Sequence, residues 1–89
     1  MKILCTQTYQ EQLKEILSQL AQEDYNVTKQ FKIYLDTIII NMPTKAQKYK
    51  ESIFFKNEKI RDIDHQGFLI PFYMDEESQT YLLLGIIKK

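Results

Sequence analysis

The stretch Ile60-Arg61-Asp62-Ile63-Asp64-His65-Gln66-Gly67-Phe68-Leu69-Ile70-Pro71-Phe72-Tyr73-Met74 decides the fold, together with Thr80-Tyr81-Leu82-Leu83-Leu84-Gly85-Ile86-Ile87 just after it. Three apolar segments separated by turn material read as consecutive strands. Lys59–Asp64 is the first, with Ile60 or Ile63 toward a core. Gly67 permits a turn, and Phe68–Met74 makes the second strand. Asp75–Ser78 is polar turn material. Thr80–Ile87 is nearly unbroken apolar sequence, the pattern of a central strand buried on both faces. Pro71 has no N–H for a ladder, so its strand is expected at a sheet edge or bulged there.

Working outward, Lys45–Glu51 is polar and basic and reads as a loop or single turn, and Ser52–Phe55 as a short extended piece. Before it lie two helical patterns. Tyr9, Leu13, Ile16, Leu17 and Leu20 form one apolar stripe. Thr8 and Glu11 have the T-x-x-E spacing of a capping box. Val27, Phe31, Tyr34, Leu35, Ile38 and Met42 form a second stripe, expected to stop at Met42–Pro43 because proline disfavours helical geometry in the residue before it. An acid near Asp24, or Asn26, can cap its start. The short connection predicts an antiparallel helical hairpin. Lys2–Gln7 is a strand candidate, and Cys5 in it is expected to be a small buried residue. The expectation is a single α+β domain over residues 1–89: a two-helix hairpin packed on a small antiparallel sheet, in the order β-α-α-β-β-β.

With 89 residues, 44% hydrophobic and only two Gly and two Pro, the chain has material for one core and is no linker or repeat. Its longest apolar runs are far short of the ~20 residues a bilayer needs, and Met1–Leu4 is too short for a signal peptide, so a cytoplasmic protein without a membrane role is expected. One Cys and one His cannot build a common zinc site, and neither metal nor cofactor is expected. The motifs GxGxxG, GxSxG, HExxH and the Walker loop are absent.

The 12 basic and 12 acidic residues cancel, yet they are unevenly placed. Lys45–Arg61 holds five Lys and Arg61 against Glu51 and Glu58, whereas Asp62–Ile87 holds five acids and no base. Lys45, Lys48, Lys50, Lys56 and Lys59 are either a solvated segment or a phosphate-facing patch, with Tyr49 available to stack on a base. Arg61 suits a bidentate phosphate contact or an ion pair with Asp62 or a helix carboxylate. His65 is either a solvated turn residue or a general base. Tyr73 and Tyr81 are stackers or, as is usual in strands, packing residues.

Ile60-Arg61-Asp62-Ile63, then Gly67-Phe68-Leu69-Ile70-Pro71-Phe72-Tyr73-Met74-Asp75-Glu76-Glu77, then Thr80-Tyr81-Leu82-Leu83-Leu84-Gly85-Ile86 resembles the C-terminal half of RelE/ParE toxins. The preceding helix pair ending at Asn41-Met42-Pro43 is similar too. The resemblance implies the toxin of a type II toxin–antitoxin (plasmid stabilisation) module, inhibiting growth and held inactive by a cognate, usually acidic antitoxin, as a homodimer or a heterotetramer with it. It implies one of two targets: mRNA on the ribosome, cleaved by a metal-independent endoribonuclease, or DNA gyrase. For RNA cleavage, Arg61 with Lys45, Lys48 and Lys50 would hold the scissile phosphate, Tyr49, Lys56 and Lys59 would bind RNA, and His65 would be the only neutral-pH base. Phe68-Leu69 stands where the family has an aromatic-Arg pair, and Tyr81–Ile87 carries no base. These departures weigh toward a non-nucleolytic target. The other class is a non-enzymatic interaction module or degenerate toxin.

Overall fold

The computed structural model describes Met1–Lys89. The elements follow in order: β1 (Lys2–Cys5), α1 (Gln7–Glu23), α2 (Tyr25–Lys45), a 3₁₀ turn (Ala46–Lys48), β2 (Lys50–Glu51), β3 (Ile60–His65), β4 (Phe68–Asp75), β5 (Thr80–Leu83) and β6 (Ile87–Lys88). The chain is an α+β domain with both helices and a six-stranded sheet. No helix is long and apolar enough to cross a membrane.

The sheet runs β1-β5-β4-β3-β2, with β6 also paired to β4. It is mixed rather than wholly antiparallel, because β1 pairs parallel with β5. The helical hairpin carries the chain from β1 across the sheet, which makes a parallel pairing reachable. The β3–β4 hairpin turns through Gln66 (φ 47°) and Gly67 (φ 86°), so both central residues have the positive φ of a tight hairpin turn. Register sets Arg61 against Phe72, Ile63 against Ile70 and His65 against Phe68. With the alternation of strand side chains, one face carries Ile63, Ile70, Phe72, Met74 and Leu83. These residues are buried with Tyr9, Phe31, Leu35, Met42 and Ala46 in one core. Leu13, Ile16, Leu17 and Leu20 of the α1 stripe pack against it half-buried. The opposite face carries Ile60, Asp62, Leu69, Pro71, Tyr73 and Leu82; no helix packs on it, yet Ile60, Asp62 and Pro71 are buried there.

Several expectations are corrected. The α1 cap is Thr6, whose Oγ1 accepts the Tyr9 N–H at 3.1 Å. Glu11 accepts from Gln7 Nε2 instead of closing a capping box with Thr8. Asp24 does cap α2, accepting from Asn26 and Val27 N–H. That helix continues through Pro43 to Lys45. The proline forfeits one bond, to the Ile39 carbonyl, and burial of Met42 and Ala46 on either side holds the last turn. Val27 and Tyr34 of the predicted stripe lie about half exposed, whereas Phe31, Leu35 and Met42 are buried. Ser52–Phe55 forms no strand; the edge strand is Lys50–Glu51. The expected strand Thr80–Ile87 divides at Leu84–Ile86 into β5 and β6.

Pro71 explains that division. It sits in the central β4, not at an edge, and fits because the ladder beside it is interrupted. The Pro71 carbonyl accepts the Leu84 N–H at 2.8 Å. The return bond, from an N–H that proline lacks to the Leu84 carbonyl, is replaced by the Thr6 hydroxyl at 3.1 Å. Gly85 then lies against α1, where a Cβ would come 2.7 Å from Gln12 Oε1, the acceptor of the Ile86 N–H. Cys5 is exposed rather than buried, because β1 is a sheet edge and the start of α1 does not cover it.

Candidate functional site

Arg61 projects from the face of β3 that meets the helices. Its Nη1 donates to the Tyr49 carbonyl at 2.6 Å and the Gln47 carbonyl at 3.4 Å, and its Nε is buried without a partner. The guanidinium therefore clasps the 3₁₀ turn and the start of β2 onto the sheet. Neither expected ion pair forms. Adjacent residues of a strand point to opposite faces, so Arg61 and Asp62 cannot meet, and the carbonyls of Gln47 and Tyr49 take the place of a helix carboxylate.

Tyr49 turns its ring inward, edge-on to Phe72 with centroids 5.7 Å apart. Burial pushes its hydroxyl above the ordinary tyrosine range. A ring so engaged has its inner side committed to the core rather than to a nucleobase.

His65 is not a solvated turn residue. It is 5% exposed, with its ring 5.6 Å from that of Phe31, and Phe68 meets the same Phe31 edge-on at 5.4 Å. Its Nε2 is buried and unpartnered. Desolvation lowers its pKa from the ordinary histidine value, since the imidazolium would have to form inside the apolar layer. Arg61 and His65 share a face of β3 and lie four residues apart, roughly 13 Å at strand rise. One phosphodiester does not span both without a large movement.

The remaining bases divide. Lys45, at the end of α2, and Lys56, in the loop after β2, are exposed and border neither of the two depressions beside the basic segment. Lys48 and Lys50 border a depression of about 320 Å³ that also takes in Asp62 and Asp64. Lys59 and Arg61 border another, about 610 Å³, at the open end of the β3–β4 hairpin, with Tyr73 and the carboxylates of Glu58, Asp75, Glu76 and Glu77. There four acids face two bases. The Asp75 carboxyl is held below its ordinary value chiefly by hydrogen bonding from the Ser78 side chain. Gln47 Nε2 donates to Glu76 Oε1 at 2.9 Å and ties the 3₁₀ turn to the β4–β5 turn. None of Lys45, Lys48, Lys50, Lys56 and Lys59 pairs with a carboxylate; the two ion pairs are Lys32–Asp36 and Lys89–Asp64. The structure thus gathers no single cationic concavity from the predicted residues.

The position that sequence reading missed is Asp62, 8% exposed on the sheet face away from the helices. Its signal was present: in Ile60-Arg61-Asp62-Ile63 the alternation places Asp62 on the face of Ile60, opposite Arg61 and Ile63. No group of three or more His, Cys, Asp or Glu side chains is arranged to hold a metal ion. Compared with known protein families and with curated proteins, the chain matches none.

Proposed function

We propose that the chain is a RelE/ParE-like toxin of a type II toxin–antitoxin module, acting in the cytoplasm by docking on a protein target, with DNA gyrase as the representative case, rather than by cutting mRNA. The observation that carries this reading is the arrangement of β1, the two helices and then the strands β2 to β6, with the helical hairpin packed on one sheet face. Four findings favour protein docking over RNA cleavage. The sole imidazole is buried, Arg61 is bound to backbone carbonyls, the Tyr49 ring faces inward, and the lysines are scattered, Lys48 and Lys50 beside one acid-lined depression, Lys59 beside another and Lys45 and Lys56 beside neither. An antitoxin completes the module, and a heterotetramer built on it is the assembly proposed.

The test is induction of the chain alone in a bacterial host, then with the neighbouring small open reading frame. Growth arrest relieved by the neighbour is the expected result. Primer extension on cellular mRNA should show no new ends, while DNA supercoiling by gyrase should fall in the presence of purified chain. New mRNA ends that vanish in Arg61→Ala would overturn the docking reading in favour of ribonuclease action. Unimpaired growth would overturn the toxin reading. The second reading, a non-toxic interaction module, then stands on one observation: Ile33, Tyr34 and Ile40 of α2 are exposed.

A further inference from the structure

Asp62 is 8% exposed, yet it is a carboxylate on the sheet face that no helix covers. Its Oδ2 accepts the Ile53 N–H at 2.9 Å, which closes the loop after β2 onto the sheet. Its Oδ1 is buried and has no donor. A carboxylate withdrawn from water needs donors on its remaining lone pairs, and the chain's own groups do not supply one here. Asp62 lines the depression of about 320 Å³. Asp64 borders it two residues along on the same face, roughly 7 Å away at strand rise. Its Oδ2 is held by Lys89 at 2.5 Å in a pair that is about half exposed, the kind that solvent screens and that exchanges readily. Ile53 and Leu69 add apolar wall, Glu51 lines it as a third acid, and Lys48 and Lys50, which line it too, form no ion pair.

We propose that this depression receives an arginine side chain of a polypeptide partner, one in which an acidic residue flanks the arginine. A guanidinium offers five donors in a planar fork, so it can serve Asp64 and, once the Lys50 side chain and the Ile53 loop draw back to uncover Oδ1, Asp62 as well. Its methylene stem packs on Ile53 and Leu69. Lys48 and Lys50, two bases against Glu51 around the carboxylates of Asp62 and Asp64, reward a carboxylate beside the arginine, so they select the context in which it is presented. The edge strand β2 lies alongside, giving an extended segment free backbone groups to pair with. Lys50 is the internal competitor, since its Cα pairs with that of Asp62 across the strands.

Arginine capture is a property of the isolated chain and is independent of growth arrest, so either can fail alone. The full ¹⁵N-labelled chain is titrated with Ac-Glu-Arg-Glu-amide and with its citrulline counterpart, following the Ile53 amide that bonds Asp62. The arginine peptide should give a saturating shift, and the citrulline peptide should bind at least about tenfold more weakly. Asp62→Asn keeps an acceptor for the Ile53 N–H but loses the charge, and should weaken the arginine peptide about tenfold to a hundredfold. Should that variant prove unfolded by circular dichroism, Asp64→Asn at its exposed position should still weaken binding several-fold. Lys50→Met should weaken Ac-Glu-Arg-Glu-amide while leaving N-acetylarginine amide bound at least as tightly. Equal affinity for the citrulline peptide, undiminished binding by folded Asp62→Asn, or an Ile53 amide unmoved at millimolar peptide would each overturn the proposal.

Discussion

Thr6 is the residue on which β1, α1 and the β5–β6 break converge, and Thr6→Val is the sharpest test of that convergence. Its N–H donates to the Leu83 carbonyl, its hydroxyl donates to the Leu84 carbonyl, and its Oγ1 accepts the Tyr9 N–H. Valine keeps the shape and the backbone bond and deletes the other two. Loss of an N-cap costs about 1 kcal/mol. A part-buried carbonyl left without a donor costs about 1–3 kcal/mol. Together they predict destabilisation of about 2–4 kcal/mol by urea unfolding at unchanged m-value, or a fall in Tm of roughly 10–25 °C for a domain of this size. Thr6→Ser retains both oxygen functions and should cost less than about 1 kcal/mol. The distinctive expectation lies in a double-mutant cycle with Pro71→Ala. Alanine restores the N–H that faces the Leu84 carbonyl, so Thr6→Val in that background should cost only the cap, about 1 kcal/mol. If Thr6→Val matches Thr6→Ser within about 0.5 kcal/mol, or costs as much in the Pro71→Ala background as in the wild type, the hydroxyl is not a substitute for the missing proline donor.

Leu35→Ala, at a fully buried position against the sheet, should cost about 2–5 kcal/mol in the same unfolding assay. Gly85→Ala should displace the Gln12 carboxamide and strand the Ile86 N–H, costing about 1–2 kcal/mol, with little further loss when Gln12→Ala is added. Arg61→Met should loosen the 3₁₀ turn and cost about 1–3 kcal/mol, with hydrogen exchange rising at Tyr49 and Lys50 before it rises in β4. For His65, the folded pKa lies below the unfolded one, so the unfolded chain takes up the proton first. Its contribution is neutral above about pH 6.5, and stability falls as pH drops from there toward the lower folded value, then levels off. Thermal unfolding of the wild type should therefore weaken more between about pH 7.5 and 5 than that of His65→Phe; parallel profiles would remove His65 as the cause.

The amphipathic spacing in both helices was legible because helix burial repeats every three to four residues. So were the hairpin through Gly67 and the run of late strands, where alternation and a positive-φ turn leave local marks. The α2 cap at Asp24 was legible, whereas the α1 cap was legible in kind but misassigned: Thr6 and Thr8 are both threonines ahead of the same apolar stripe, and contact with Leu84 from the far end of the chain distinguishes them. Pro71 announced a broken ladder correctly but not its place. An interrupted neighbour strand satisfies a proline as well as an open edge does, and sequence spacing does not separate the two.

Composition and periodicity alone determined that this chain is one α+β domain with two helices beside a sheet built largely from its second half. Those features follow from how often a side chain must return to the same face. The tertiary structure decided the rest: which charged groups share a surface, that Arg61 spends its Nη1 donor on backbone carbonyls, that His65 lies under Phe31, and that Asp62 is buried opposite them on the face away from the helices. A string of residues records charge and spacing along one dimension. Burial, hydrogen-bond partnership and the strength of an electrostatic contact depend on groups brought together from Gln47, Ile53 and Lys89, and those arrive only when the strands have found their register.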